Sequence, residues 1–304
     1  MASSQNATAI IQRAFAQAMA EAVPLAPRAG RIVPVPGAGS FRVGGGAFGA
    51  LGATLSTTAT TQSLSDWFTF EASHTMTKKV VKQTVPVHTF ERDYAMEDAG
   101  RQLAESAVGT MDKLFFDGLE ALFALAHPRA GAGAGQVGAG KKYLDTALKG
   151  LNGEGGEFTQ DNLITSALSE SALNTAIKLL LQYKHDRGWP LHIGTSGGLV
   201  LVVAPKNAQL AHELVTSQLS GADMASNFVK GLIVDVVVYP FTTDDDDWFL
   251  IKRDSSPVGL ALAKEPTARI APQTDGLFVD LVAEVDTVFF TNPYEYGIVG
   301  SNVA

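Results

Sequence analysis

The chain has 304 residues, 46% of them hydrophobic, and a formal net charge of -8, which provides for a substantial core in one large domain or two ordinary ones. The acidic balance argues against an outer surface that grips nucleic acid through a basic patch. Zero cysteines remove disulfides, thiolate metal sites and cysteine nucleophiles together and suit a reducing compartment. No run approaches the ~18 apolar residues of a membrane span, and the N-terminus lacks the basic start and apolar core of a signal peptide. Composition therefore places the protein in cytoplasm.

In chain order, residues 5–22 are predicted as a short amphipathic helix. Ile10/Ile11, Ala14/Phe15, Ala18/Met19 and Ala22 share a face, Ser3 and Ser4 offer caps, and Pro24 ends it. Residues 24–65 then hold four prolines, eight glycines, three arginines (Arg28, Arg31, Arg42) and no carboxylate. Such a segment cannot form a core of its own, so it is expected to be ordered by lying on something else. Residues 66–95 turn strand-like, with WFTF at 67–70 and KVVKQTVPVHTF at 79–90. Pro86 suits an edge or a bulge. The reading is a long hairpin-like excursion that enters a helix at Met96.

That helix dominates the middle of the chain. Leu103, Ala107, Met111, Leu114/Phe115, Leu119, Leu122/Phe123 and Ala126 recur at three-and-four spacing through residues 97–126, predicting one helix of about 45 Å. Gly100, Gly109 and Gly118 sit inside it, each costing up to about 1 kcal/mol against Ala. Either something packs close against them or they are tolerated at an exposed face. AHPRAGAGAGQVGAGKK (126–142) reads as a loop. A second helix is predicted over 169–185, stopped by Gly188 and Pro190, then a buried strand at 199–204 and a helix at 207–218. Strands at 233–239 and 248–252 flank four aspartates at 244–247, and strands at 258–263, 277–290 and 294–300 close the chain. The fold class is α+β, without a regular βαβ repeat.

Motifs with chemical associations fail their context tests. GTSGG at 194–198 fits G-x-S-x-G with Ser196 as nucleophile, but the hydrolase elbow needs a strand before it and a helix after, and the predicted strand follows instead. GQVGAGKK at 135–142 has Lys142 where a phosphate loop needs Ser or Thr, and it follows a helix. Gly44, Gly46 and Gly49 match G-x-G-x-x-G without a helix behind them. Asp244, Asp245, Asp246 and Asp247 offer hard oxygen ligands without calcium-loop spacing, so a solvated turn is the simpler reading. His74, His88, His127, His185, His192 and His212 contain no pair at metal-ligand spacing. No catalytic, cofactor or metal residues emerge, and an enzyme is not expected.

The ordered set KKVVKQTVPVHTFERDYAMED (78–98), FFDGLEALFALAHP (115–128), GWPL (188–191), LVLVVAPKNAQLAHELV (199–215), LIVDVVVYPFTTDDDDWFLI (232–251) and VFFTNPYEYGIVGS (288–301) resembles the major capsid proteins of tailed bacteriophages with the Hong Kong 97 fold. It looks closest to the major head subunit of Mu-like phages and prophages. The resemblance implies an N-arm (1–40), an extended β E-loop (41–92), a P-domain with a long spine helix (93–159, helix 96–127), an A-domain (160–257) and closing P-domain strands (258–304). It also implies pentamers and hexamers in an icosahedral shell, around double-stranded DNA held non-specifically. Portal, scaffolding and decoration proteins are the implied partners, with no membrane or cofactor. Location in a virion assembled in host cytoplasm follows. Some relatives crosslink Lys to Asn; Lys78, Lys79, Lys82 and Asn292 exist, but nothing marks them as reactive.

On this view the arm and the β excursion lie across neighbouring subunits. Trp67, Phe68 and Phe70 are either anchors there or packing for the subunit's own spine. Arg28, Arg31 and Arg42 would meet acids of a neighbour or, less simply, DNA, and Lys78, Lys79 and Lys82 complete the interface candidates. Truncating residues 1–50 is expected to abolish shells and leave a soluble subunit. A cellular nanocompartment shell of the same fold, and a serine hydrolase using Ser196, are the alternatives; fluorophosphonate labelling separates the latter.

Overall fold

The computed structural model describes residues 4–35, 40–45, 70–75, 77–86, 93–126, 141–151, 157–184, 190, 193, 198–217, 219–220, 225–226, 229–253, 257–272, 278–291 and 297–303. In order these form α1 (Ser4–Glu21), α2 (Ala26–Ala29), β1 (Arg31–Pro34), β2 (Ser40–Gly45), β3 (Phe70–Thr75), β4 (Thr77–Pro86), α3 (Asp93–Ala121), β5 (Leu148–Leu151), β6 (Glu157–Gln160) and β7 (Leu163–Ile164). Then come α4 (Glu170–Gln182), β8 (Leu199–Val203), α5 (Ala208–Thr216), β9 (Leu219–Ser220), β10 (Ala225–Ser226), β11 (Ile233–Val238), β12 (Trp248–Lys252), β13 (Val258–Pro272), β14 (Phe278–Thr291) and β15 (Ile298–Ser301).

A first sheet has the order β1-β13-β14-β4 and a second the order β11-β8-β12-β15-β7; β2-β3, β5-β6 and β9-β10 are two-stranded ribbons. The spine, α3, serves both sheets. Its 29 residues span about 43 Å at 1.5 Å each. Along its first half Met96, Ala99, Leu103, Ala104 and Ala107 pack with Ile11 and Phe15 of α1 over Val85, Ala268, Leu281 and Ala283 of the first sheet. Along its second half Phe115, Phe116 and Leu119, with Leu122 just past its end, meet Val200, Val202, Val237, Phe249 and Ile251 of the second sheet. The opposite face of that sheet, Leu199, Leu201, Val203, Trp248 and Leu250, packs under Leu173, Ile177 and Leu180 of α4 and Ala211 of α5. Odd and even residues of β8 thus point to different cores, as the two-residue period of a strand requires.

Two of the three spine glycines mark close approaches. A Cβ on Gly118 would stand 2.4 Å from the Phe289 ring, and one on Gly100 would stand 2.8 Å from the Ile11 carbonyl oxygen, whereas one on Gly109 would meet nothing within 4 Å beyond the helix's own backbone.

Two expectations need correction. Residues 24–35 do not wait for a neighbour, because Ala26 and Ala29 are buried in the chain's own core and a Cβ on Gly30 would stand 2.3 Å from the Phe115 ring. Small residues let this backbone approach the spine, and Asp112 of the spine accepts from the Leu25 and Ala26 N–H groups at 3.0 and 2.8 Å. The strand predicted to stop at residue 263 continues to Pro272, with register shifts between Leu262 and Thr267 that absorb Glu265 and Pro266 as a bulge absorbs proline. The closing strand β15 pairs in the second sheet, between β12 and β7.

Candidate assembly surfaces

Two groups of polar contacts sit where the sheets meet solvent or each other. On the outward face of the first sheet, Lys78 and Lys82 of β4 reach Glu284 and Asp280 of β14, each at 2.7 Å. Arg269 of β13 adds a 2.8 Å contact to Glu284, and the Thr84 hydroxyl donates to Asp280 at 2.8 Å. Hydrogen bonds from Lys78 and then Arg269 lower the Glu284 carboxyl to about 2. Val282, paired across the strands with Lys82 and Arg269, is buried, since long cationic side chains cover apolar surface with their stems. Lys79 has no ion pair among the described residues, and Val80 is exposed.

The second group lies at the junction of the sheets. Arg28, on α2, makes a forked contact to Asp235 of β11 at 2.9 and 2.6 Å, and its Nη2 also donates to the Val236 carbonyl at 3.2 Å. The hydrogen bond with Arg28 lowers the Asp235 carboxyl and raises the guanidinium. Near the far end of the spine, Glu120 accepts from the Thr243 N–H and hydroxyl at 2.9 and 2.7 Å. Burial pushes Tyr239, which stacks on Phe116 with ring centroids 4.0 Å apart, above its ordinary range, and Asp117, Glu120 and Asp112 add to the shift.

Arg28 thus meets an acid of its own chain, and Arg31 lies with its guanidinium 5.7 Å from the Phe290 ring centroid. Arg42 stands in β2 opposite Ser73, and Phe70 opens β3 opposite Gly45; their side chains, with Trp67 and Phe68, lie outside the described residues. So does Ser196, as does most of the phosphate-loop look-alike, of which Lys141 pairs with Asp145 at 3.7 Å. Gly44 lies inside β2, opposite Glu71.

The four aspartates form a turn tied down on two sides. Lys206 reaches Asp246 at 2.7 Å, and the Asn207 amide donates to the Asp245 carbonyl at 3.0 Å. Asp247 points inward, accepting from the Val303 N–H at 3.3 Å. Burial first, then the charges of Asp244, Glu120 and Asp246, push its carboxyl up to about 6 despite that bond. Among the described residues no three His, Asp or Glu side chains stand together to hold a metal ion. No helix there is long and apolar enough to cross a membrane.

Sequence reading missed Asp112, Asp235, Asp280 and Glu284. Asp235 carried a signal, a lone carboxylate inside the apolar run LIVDVVV. Asp280, Glu284 and Asp286 alternate with apolar residues in β14, which is the mark of a half-solvated strand.

Residues 157–242 match the family model described as the Mu-like prophage major head subunit gpT. No curated protein matches the chain in sequence. Among solved structures, the capsids of the native and the empty GTA particle align at TM-scores of 0.55 and 0.54, each at 12% identity and covering 93% of this chain and 91% of that one. The mature capsid of bacteriophage PhiM1 aligns at TM-score 0.53, with 14% identity and coverage of 90% and 85%. A virus-like particle from Pyrococcus furiosus aligns at TM-score 0.54, with 11% identity and coverage of 96% and 98%. At such identities the likeness concerns the fold alone, and it extends over nearly the whole chain. The chain thus has the Hong Kong 97-type fold of these capsid proteins, and over residues 157–242 it is similar to the Mu-like major head subunits.

Proposed function

We propose that the protein is the subunit of an icosahedral shell, closing into pentamers and hexamers around double-stranded DNA. The observation that carries this reading is the Mu-like head-subunit pattern over residues 157–242, set within a chain whose fold aligns with capsid subunits over 90–93% of its length. Its work is structural: heterologous contacts between different patches of neighbouring subunits close rings, and many weak contacts hold the shell. In this reading residues 1–40 are an N-arm, 41–92 an E-loop, 93–159 and 258–304 a P-domain, and 160–257 an A-domain; β15 links the last two by sheet pairing. The ribbon of β2 and β3, and the edge carrying Lys78, Lys79 and Lys82, supply contacts to the next subunit. Phe70 on β3, with Trp67 and Phe68 just before it, provides aromatic anchors, and Arg42 provides a cation. Arg31 is shared with its own chain's Phe290. Portal, scaffolding and decoration proteins are further partners, and the shell forms in the host cytoplasm before becoming part of a virion.

A cellular nanocompartment is the second reading, favoured by the alignment with the Pyrococcus furiosus particle. Negative-stain electron microscopy with sedimentation velocity on the protein expressed alone tests both. Closed shells or rings of five and six are expected; a particle that stays monomeric or dimeric, even with its neighbouring gene products, overturns the assembly reading. Nucleic acid in shells purified from a producing host, against a protein cargo, separates phage head from compartment.

A further inference from the structure

The two sheets are joined along one line and pinned at a third point. The chain passes from β12 to β13 and from β14 to β15. The strand ends that flank these passages are paired within their own sheets, Ile251 with Ile298 on the second and Val258 with Thr291 on the first, and these two paired ends mark a hinge line. The third point is Arg28. Two residues separate it from β1, an edge strand of the first sheet, and its guanidinium grips Asp235 on β11, an edge strand of the second. On each sheet that edge lies on the same side of the hinge, one strand beyond β13 and two beyond β12, or about 5 and 10 Å off the hinge line.

The contacts at this point differ in kind from the core around them. Apolar packing between the sheets is non-directional and sets no bond angle. A forked guanidinium–carboxylate pair, with a further bond from Nη2 to the Val236 carbonyl, fixes both distance and orientation. Asp112 anchors the other end of α2 to the spine, so Arg28 projects from a held base. Around Asp235 the other charge that acts on it is Arg253. The Glu120–Thr243 bonds tie the far turn of the second sheet to the spine, but Thr243 there is exposed.

We propose that Arg28 and Asp235 are positioning residues for assembly, fixing the angle between the sheets and thereby the curvature of the shell. This rests on the capsid reading above. A subunit whose two ends are set at a wrong angle still folds and still presents its contacts, but a ring of such subunits closes at another tilt.

The absence of cysteines permits a direct test. Spin labels at Thr267→Cys on β13 and Gln209→Cys on α5, which packs on the second sheet, report the spacing of the sheets by double electron–electron resonance. The expected result is a narrow distribution in the otherwise unaltered chain and one roughly twofold broader with Arg28→Ala or Asp235→Asn, with Arg28→Lys between them because it keeps the charge without the fork. In parallel, cryo-electron microscopy of the unlabelled variants should show several shell diameters or open sheets where the parent gives one diameter. Unchanged label distributions overturn the positioning role, and broadened distributions with unchanged shell diameters overturn the link to curvature. If Arg28→Ala fails to fold, Arg28→Lys decides. If the parent forms no shells, the capsid reading fails, and the label widths alone judge whether the pair fixes the angle.

Discussion

The two sheets reach stability by different routes. Every residue of β8 and four of the five in β12 are buried, because α4 and α5 cover one face of the second sheet while the spine covers the other. The first sheet has one apolar face, under α1 and the spine, and one face turned outward with Lys78, Lys82, Arg269, Asp280 and Glu284 in contact. The second sheet is therefore a core element. The first is half core and half surface, and its stability depends on what lies under it and on the ionisation of what lies over it.

The strongest way to break this contrast is to remove the helix beneath the first sheet. Deleting residues 1–30 takes away Ile11 and Phe15, which are 1% and 4% exposed, and Ala26 and Ala29 at the junction. The expected outcome is loss of cooperative unfolding and of soluble compact subunits, measured by near-ultraviolet circular dichroism and gel filtration. This replaces the soluble, assembly-deficient subunit that composition alone suggested. Phe15→Ala should by itself cost about 3–5 kcal/mol in urea titration. A deletion variant that keeps a sharp transition would show that α1 is an appendage and not part of the first sheet's core.

The spine glycines give a smaller and two-signed test. Gly118→Ala must displace the Phe289 ring, 2.4 Å from the new methyl, and should destabilise by about 1–3 kcal/mol as overpacking does. Gly109→Ala meets open space and should stabilise by up to about 1 kcal/mol through helix propensity. Equal urea midpoints for the two variants would mean that the spine shifts freely over β14.

The sequence carries the long spine, the burial of β8 and the bounds of β12, because in each the spacing of apolar residues is set by the element's own period. Where the cause lies on another element, the sequence is silent. Residues 24–35 read as loop by their Pro, Gly and Ala content; their burial is explained by Phe115 and Asp112, some 85 residues on. Arg28 and Asp235 are 207 positions apart, so neither predicts the other. The charged stretch at 264–266 mimics a strand end, and only pairing with β14 shows it to be a bulge. Of the interface candidates, the lysines of β4 were legible as a strand, but their acidic partners on β14 were not. The family pattern named the fold ahead of the contacts that hold it.

The gentlest test uses pH, and it moves the two sheets in opposite directions. Glu284 on the first sheet has its carboxyl lowered from 4.5 to about 2 by Lys78 and Arg269, so the folded state favours the ionised form. Its contribution is full above about pH 4.5 and is lost as pH falls toward 2. Asp247, at the start of β12, is raised from 3.8 to about 6, chiefly by burial. There the folded state favours the protonated form, so stability is gained as pH falls through 6 and is complete below 3.8. The melting temperature should therefore rise from pH 7 to pH 5 and fall again below pH 4. Asp247→Asn, whose amide oxygen still accepts from Val303, should raise the pH 7 value by about 2–4 °C and abolish the rise. Glu284→Gln should lower it by about 1–2 °C at pH 7 and soften the acid limb. Calorimetry at 0.05 and 1 M salt sharpens the distinction, since the exposed lysine and arginine contacts of Glu284 are screened and the buried Asp247 is not. If Glu284→Gln leaves both the acid limb and its salt dependence unchanged, the outward ladder does not stabilise the first sheet, and apolar packing beneath it carries the whole.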